Sequence, residues 1–172
     1  NTGVFSDKGK SLINKKGELV CKSPFPSMPI YFWNDKNNKK YKSAYFEKYK
    51  NVWHHGDYAE RKSNGGYIIY GRSDATLNPG GARSGTAEIY SVVDKFKEVK
   101  ESIVVGQQWD NDVRIILFIV LKKPNTLNED LVSRLKKAIR LNASPRHVPK
   151  KIIEVSDIPR TKNGKIVEIA VR

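Results

Sequence analysis

Near the end of the chain, Pro159-Arg160-Thr161-Lys162-Asn163-Gly164-Lys165 sets a lysine directly after a glycine, in a loop with basic flanks. A lysine is a compact charge on a long flexible stem, and the glycine before it permits close backbone approach and unusual dihedrals. Such a pair is suited to meeting charge that builds up on phosphate oxygens. Taken by itself, a Gly-Lys loop is a solvated turn. Upstream, Gly56-Asp57 precedes Tyr70-Gly71-Arg72-Ser73-Asp74, with Asn78-Pro79-Gly80-Gly81-Ala82-Arg83 beyond it. A carboxylate such as Asp57 offers two acceptor oxygens, although an Asp after a glycine is equally a turn former. Asn78 to Gly81 forms a β-turn whatever else it does. His54, His55 and His147 show no spacing to one another or to acids that argues for a metal or a base, and they read as structural.

The elements that must hold these residues fall into two parts. In the first, Gly17 to Cys21 reads as a short strand, and Pro24, Pro26 and Pro29 keep the next stretch extended. Tyr41, Tyr45, Phe46 and Tyr49 fit one face of a short helix. Residues 52–61 and 67–72 form a hairpin across Lys62-Ser63-Asn64-Gly65-Gly66, where Asn-Gly favours positive backbone angles. The second part opens after Asp74. Ile89, Val92, Val93 and Phe96 predict a helix over 86–96 with one apolar face. Ile103 to Val105 and Val113 to Leu121 read as strands, the second too continuously apolar to have a solvated face. Thr126 and Glu129 have capping-box spacing ahead of a helix carrying Leu131, Val132, Leu135, Ala138 and Ile139. Ile152 to Val155 is a third strand. Helices on a small sheet make this an α+β unit of about 100 residues.

At 172 residues, 38% hydrophobic, the chain can bury one modest core or two small ones. The net charge of +14 raises nucleic acid or an anionic membrane as a partner. Residues 1–74 hold 14 basic and 7 acidic side chains and residues 75–172 hold 18 and 11, so each part nets +7 and no basic tail exists. Lysines interleaved with aromatics in the first half could form a base-stacking surface, but aromatics at helix or strand spacing read first as core. Cys21 is alone, which excludes an intrachain disulfide and suits a reducing compartment. No run has the length and apolarity of a signal peptide or membrane helix. The default expectation is a cytoplasmic protein, and a first residue of Asn beside strand-like Val4-Phe5 leads us to expect a piece of something longer.

The ordered set Gly56-Asp57, Gly71-Arg72-Ser73-Asp74, Gly81-Ala82-Arg83 and Pro159-x4-Gly164-Lys165 resembles the last part of the adenylate-forming acid–CoA ligases, from about Gly17 onward. Ser27-Met28-Pro29-Ile30-Tyr31-Phe32-Trp33-Asn34-Asp35, Val52 to Asp57 and Ala143 to Pro149 look most like the branch that activates acetoacetate. The resemblance implies an α+β architecture. Residues 1–73 would be the β-rich end of a large N-terminal domain, with hairpins and one short helix. Asp74 would be a hinge. Residues 75–172 would be a mobile C-terminal domain, with a roughly three-stranded sheet packed by two or three helices.

It also implies roles. Lys165 would be catalytic, bringing its cation to the phosphate in acyl-adenylate formation. Asp57 would accept hydrogen bonds from the ATP ribose hydroxyls, with Arg72 on the same ribose and Arg83 facing phosphate. Gly81 would leave room for the pantetheine arm of CoA, and Arg140 would contact a CoA phosphate, although a helix-end cation favoured by the dipole reads almost as well. The substrates would be ATP, CoA and a short carboxylic acid, acetoacetate, with Mg2+ bound through ATP on ligands mostly outside this chain. The phosphate loop and acyl pocket would lie upstream of residue 1, so this piece alone is expected to be close to inactive. Its partner would be the missing N-terminal portion, with no nucleic acid and no membrane.

Two other readings stay open. A ligase for acetate or a longer acid would keep the motifs from residue 56 on. A basic nucleic-acid module would explain the charge but not the ordered motifs, and would bind nonspecific nucleic acid with steep salt dependence.

Overall fold

In the computed structural model, which describes residues 1–171, the chain forms two units, 1–73 and 74–171, each with its own sheet. In the first, β1 (Thr2–Phe5), β2 (Lys16–Cys21), β3 (Trp53–Arg61) and β4 (Tyr67–Arg72) lie side by side in chain order, every neighbouring pair antiparallel. Val4, Val20 and Ala59 are completely buried. The expected hairpin is present: Lys62 and Gly66 close the loop, Gly65 N–H donates to Lys62 O, and only Gly65 takes a positive φ. That is a type I turn followed by a bulge, so one residue rather than two needs the left-handed region.

The short helix α1 (Lys39–Phe46) starts where Asp35 accepts from Lys40 N–H at 2.9 Å and Tyr41 N–H at 2.8 Å, which satisfies donors that have no partner within the helix. Tyr41, Tyr45 and Phe46 lie on it as expected. Tyr49 does not: it falls past the helix end, where its hydroxyl donates to Ser6 O and its ring meets Phe5 edge-on. A tertiary contact has overridden the helical period. Trp53 collects the aromatics, with Tyr45 stacked at 3.7 Å and Phe25 and Phe46 edge-on. These rings pack on one another, each pair contributing about 0.5–1.5 kcal/mol beyond burial.

The second unit runs α2 (Ala87–Val93), β5 (Val99–Trp109), β6 (Asp112–Leu121), α3 (Glu129–Asn142) and β7 (Lys151–Glu154). Its sheet has the order β5-β6-β7, with β5 antiparallel and β7 parallel to β6 and α3 as the crossover. The helix expected over 86–96 stops at Val93. The N–H groups of Lys95 and Phe96 reach back three residues instead of four, which tightens the end. The strand expected at 103–105 is much longer, because Asp110 and Asn111 both adopt positive φ and turn the chain in two residues. The second helix is capped not by Thr126 but by Asn128, whose Oδ1 accepts from Leu131 N–H at 2.9 Å.

The central strand explains the placement of the core. Ile115, Leu117, Ile119 and Leu121 of β6 pack with Ile89, Val92 and Val93 of α2 and with Leu131, Leu135 and Ile139 of α3. Phe118 and Val120 alternate to the other face, against Ile103, Val155 and Ile158. Both faces are covered, which is why this strand reads as one apolar run. Among the described residues no helix is long and apolar enough to cross a membrane.

Candidate functional site

In the first unit, the β3–β4 register sets Asp57 directly opposite Arg72. Arg72 Nη1 stands 3.7 Å from Asp57 Oδ1 and 3.5 Å from the His55 carbonyl oxygen. Gly56, between them, has φ of +83°, and a Cβ there would come within 2.9 Å of the guanidinium, so glycine is what lets Arg72 lie across the strand. His55, read from sequence as structural, belongs to this cluster: its Nε2 is 3.3 Å from Asp57 Oδ2. Trp53 Nε1–H donates to His55 Nδ1, which leaves Nε2 to carry the ring proton toward the carboxylate. The i, i+2 spacing on one strand was the available signal. A partly exposed carboxylate with spare acceptor capacity beside a guanidinium can take hydroxyl donors.

The chain leading to Asp74 is tied down. Ser73 N–H donates to Gly56 O at 3.0 Å, and Ser73 Oγ donates to the Glu18 carboxylate. Glu18 is only 1% exposed and also accepts from Lys48 Nζ at 2.8 Å, with His54 Nε2 at 3.1 Å. Burial alone would raise its carboxyl, but the bonds from His54, Lys48 and Ser73 outweigh burial and hold it well below the usual carboxylate range. Asp74 itself opens the second unit.

In the second unit, Leu77 and Ser84 exchange backbone hydrogen bonds and project the loop between them. Gly80 and Gly81 both have positive φ, and a Cβ on Gly81 would meet nothing within 4 Å. Within this unit it is backbone conformation, not crowding, that calls for glycine at 81. Arg83 Nε donates to Thr76 Oγ1 at 3.0 Å. The loop has an anchor that sequence reasoning missed: Asp112 Oδ1 accepts from Gly80 N–H at 2.8 Å and from Val113 N–H at 2.7 Å. Those bonds, Val113's first, hold the Asp112 carboxyl below its ordinary value.

Lys165 closes a tight turn at the base of which Thr161 N–H donates to Lys165 O and Gly164 N–H to Thr161 O. Lys165 N–H donates in turn to Thr161 Oγ1 at 3.2 Å, and the lysine side chain stands exposed. Arg140 is exposed in the last turn of α3. Asp57 thus meets Arg72 on one hairpin and Gly81 shares a loop with Arg83, while Lys165 and Arg140 stand on separate elements. His147 is buried, with Nδ1 2.7 Å from Ser144 Oγ and Nε2 3.4 Å from Glu88 Oε2, a structural setting. Among the described residues no three His, Cys, Asp or Glu side chains gather as a metal site.

Residues 88–165 match the AMP-binding enzyme C-terminal domain. The chain is 57% identical over 169 residues to the acetoacetyl-coenzyme A synthetase of Rhizobium meliloti (strain 1021), covering 98% of this chain and 26% of that protein. It is 48% identical over 171 residues to the acetoacetyl-CoA synthetase of Gallus gallus, with the same shares covered. The solved structure of acetoacetyl-CoA synthetase from Streptomyces lividans superposes with a TM-score of 0.92 at 42% identity, over 99% of this chain and 26% of that one. The chain therefore spans about a quarter of the length of these relatives. On fold, motif order and sequence together, the chain carries an AMP-binding enzyme C-terminal domain and resembles the C-terminal part of the acetoacetyl-CoA synthetases.

Proposed function

We propose that the chain is the part of an ATP-dependent acid–CoA ligase that carries the hinge, the thioester loop and the adenylation lysine, and that the acid is acetoacetate. The observation that carries this reading is the 57% identity to an acetoacetyl-coenzyme A synthetase along nearly the whole chain. In the first half-reaction a carboxylate oxygen attacks the α-phosphorus of ATP, the bond to the bridging oxygen breaks, and pyrophosphate leaves. In the second, the CoA sulfur attacks the acyl carbonyl, the bond to AMP breaks, and the thiol proton is released.

Asp57 would accept from the ribose hydroxyls, with His55 at Oδ2 and Arg72 at Oδ1 orienting its carboxylate. Arg72 would reach the same ribose and Arg83 a phosphate. Lys165, on its exposed turn, would place a cation on the phosphate oxygens as charge builds there. After rotation about Asp74, the Gly80–Gly81 loop would line the pantetheine channel, with Arg140 on a CoA phosphate. Mg2+ would arrive with ATP, on ligands mostly outside this chain. Small molecules rather than nucleic acid or a membrane are its ligands in this reading, and the cytoplasm its compartment.

The test is Lys165→Ala in the full-length enzyme. Acetoacetate-dependent exchange of pyrophosphate into ATP should fall by about a hundredfold or more, the scale of losing one preorganised charge-stabilising group. Thioester formation from supplied acetoacetyl-adenylate should persist. Equal loss in both would mean that the substitution damages folding, and intact exchange would remove Lys165 from the reaction.

A further inference from the structure

An exposed lysine has few contacts of its own to aim it, so the reach of its ammonium is set by where its backbone is fastened. Three residues beyond Lys165, in the single turn Glu168–Ala170, Glu168 Oε1 accepts from Tyr90 O–H at 2.6 Å. The Tyr90 oxygen accepts in turn from Val104 N–H at 3.0 Å. One phenol thus joins α2, β5 and the C-terminal segment, using its donor and an acceptor site together.

The arrangement answers a need of the sheet. β5 is an edge strand, paired with β6 on one side only, so its outward N–H groups require partners from elsewhere. Val104 is completely buried, where an unpaired amide would be costly. Burial first, and then the Glu168 charge, push the Tyr90 phenol well above its ordinary range, so it remains a protonated donor at any working pH. A second fastening lies on the other side of the turn: Arg160 pairs with Glu101 of β5 and reaches Gly164 O, while Val167 N–H donates to Pro159 O at 3.1 Å. Lys165 sits between the two, at the end of a turn with both roots held to the same strand.

We propose that Tyr90 and Glu168 are positioning residues for Lys165, their hydrogen bond fixing the root of the lysine stem for acyl-adenylate formation. This rests on the reading of Lys165 as the adenylation cation. Neither residue touches substrate. Their influence is geometric, and a displacement of about 1 Å in a catalytic group can cost about a hundredfold in rate.

The experiment uses the full-length enzyme with Tyr90→Phe, Glu168→Ala, Glu168→Gln and the double variant Tyr90→Phe/Glu168→Ala. Pyrophosphate exchange and thioester formation from supplied acetoacetyl-adenylate are measured separately. Tyr90→Phe and Glu168→Ala should each lower the exchange kcat by about ten- to a hundredfold with the KM for ATP little changed, a size bounded by the cost of misplacement. Both should leave the thioester half-reaction within about twofold, since the lysine acts in the first half only. Glu168→Gln keeps a side-chain oxygen to accept from the phenol and should recover most of the loss. The double variant should be no worse than the poorer single, because the two residues act as one unit.

Full exchange activity in Tyr90→Phe and Glu168→Ala overturns the proposal. So does multiplied loss in the double variant, or equal loss in both half-reactions with a lowered Tm, which marks a merely structural bond. Lys165→Ala run in parallel separates the two claims. If that variant still exchanges pyrophosphate, the reading of Lys165 fails and the proposal with it; if it does not, while Tyr90→Phe does, only the positioning claim fails.

Discussion

Glu18 carries a charge where the fold leaves almost no water to solvate it, and three donors from distant parts of the first unit replace that water. Because its carboxyl is held below the ordinary value, the stability it contributes is present above the unfolded value of about 4.3 and is lost as pH falls below it. Glu18→Gln, which keeps the shape but not the charge, should cost about 1–3 kcal/mol at pH 7. In urea unfolding of the full-length enzyme from pH 7 to pH 3, the gap between wild type and variant should narrow as acid is added; a constant gap would mean that the carboxylate charge is immaterial. At this scale the sequence is informative where a residue acts through its own backbone neighbours, as at Gly65, whose positive φ sits in the expected Asn-Gly turn. It was silent where a partner lies far along the chain. Tyr90 adjoins the apolar series 89, 92 and 93, and nothing local announces an acceptor at residue 168. His55 was passed over because a histidine two residues from an aspartate gains meaning only once both are known to lie on one strand.

Elements were legible where a period governs them and misread where one oxygen or one dihedral decides. The apolar run of β6 gave a buried strand because both of its faces are covered. The cap of α3 was assigned to Thr126 and belongs to Asn128: both types can cap, and the choice depends on which oxygen reaches an N–H two or three residues on. The Asp110-Asn111 turn went unread because positive φ at two consecutive residues without glycine is uncommon. That turn matters for the proposed chemistry, since it delivers Asp112 to the Gly80–Gly81 loop. Asp112→Ala in the full-length enzyme should loosen the loop and lower thioester formation from supplied acyl-adenylate by about tenfold, with pyrophosphate exchange nearly unchanged. The scale is that of losing positional control of a reacting arm. A loss confined to pyrophosphate exchange would show that the anchor serves the other half-reaction. Asp112→Asn, which retains an acceptor oxygen, should be milder.

For the whole molecule, the two proposed half-reactions place different demands on one chain, and Asp74 is where we propose they are reconciled. Asp74→Pro fixes φ near −65° and removes a backbone donor. The full-length variant should keep one half-reaction, whichever geometry proline permits, and lose overall turnover; full turnover would put the pivot elsewhere. The proposal of a pivot comes from the motif order, since the motifs fall on either side of one short linker, and the two units divide at the same place. What the motifs could not disclose is what holds that linker's near end. Ser73 is gripped through both its amide and its hydroxyl, the latter by the buried Glu18 of β2. In the proposed rotation about Asp74 this grip would act as a fulcrum: a lever that must return to the same two stops on every turnover needs one point that does not yield, and a buried carboxylate would supply it more stiffly than a solvated loop.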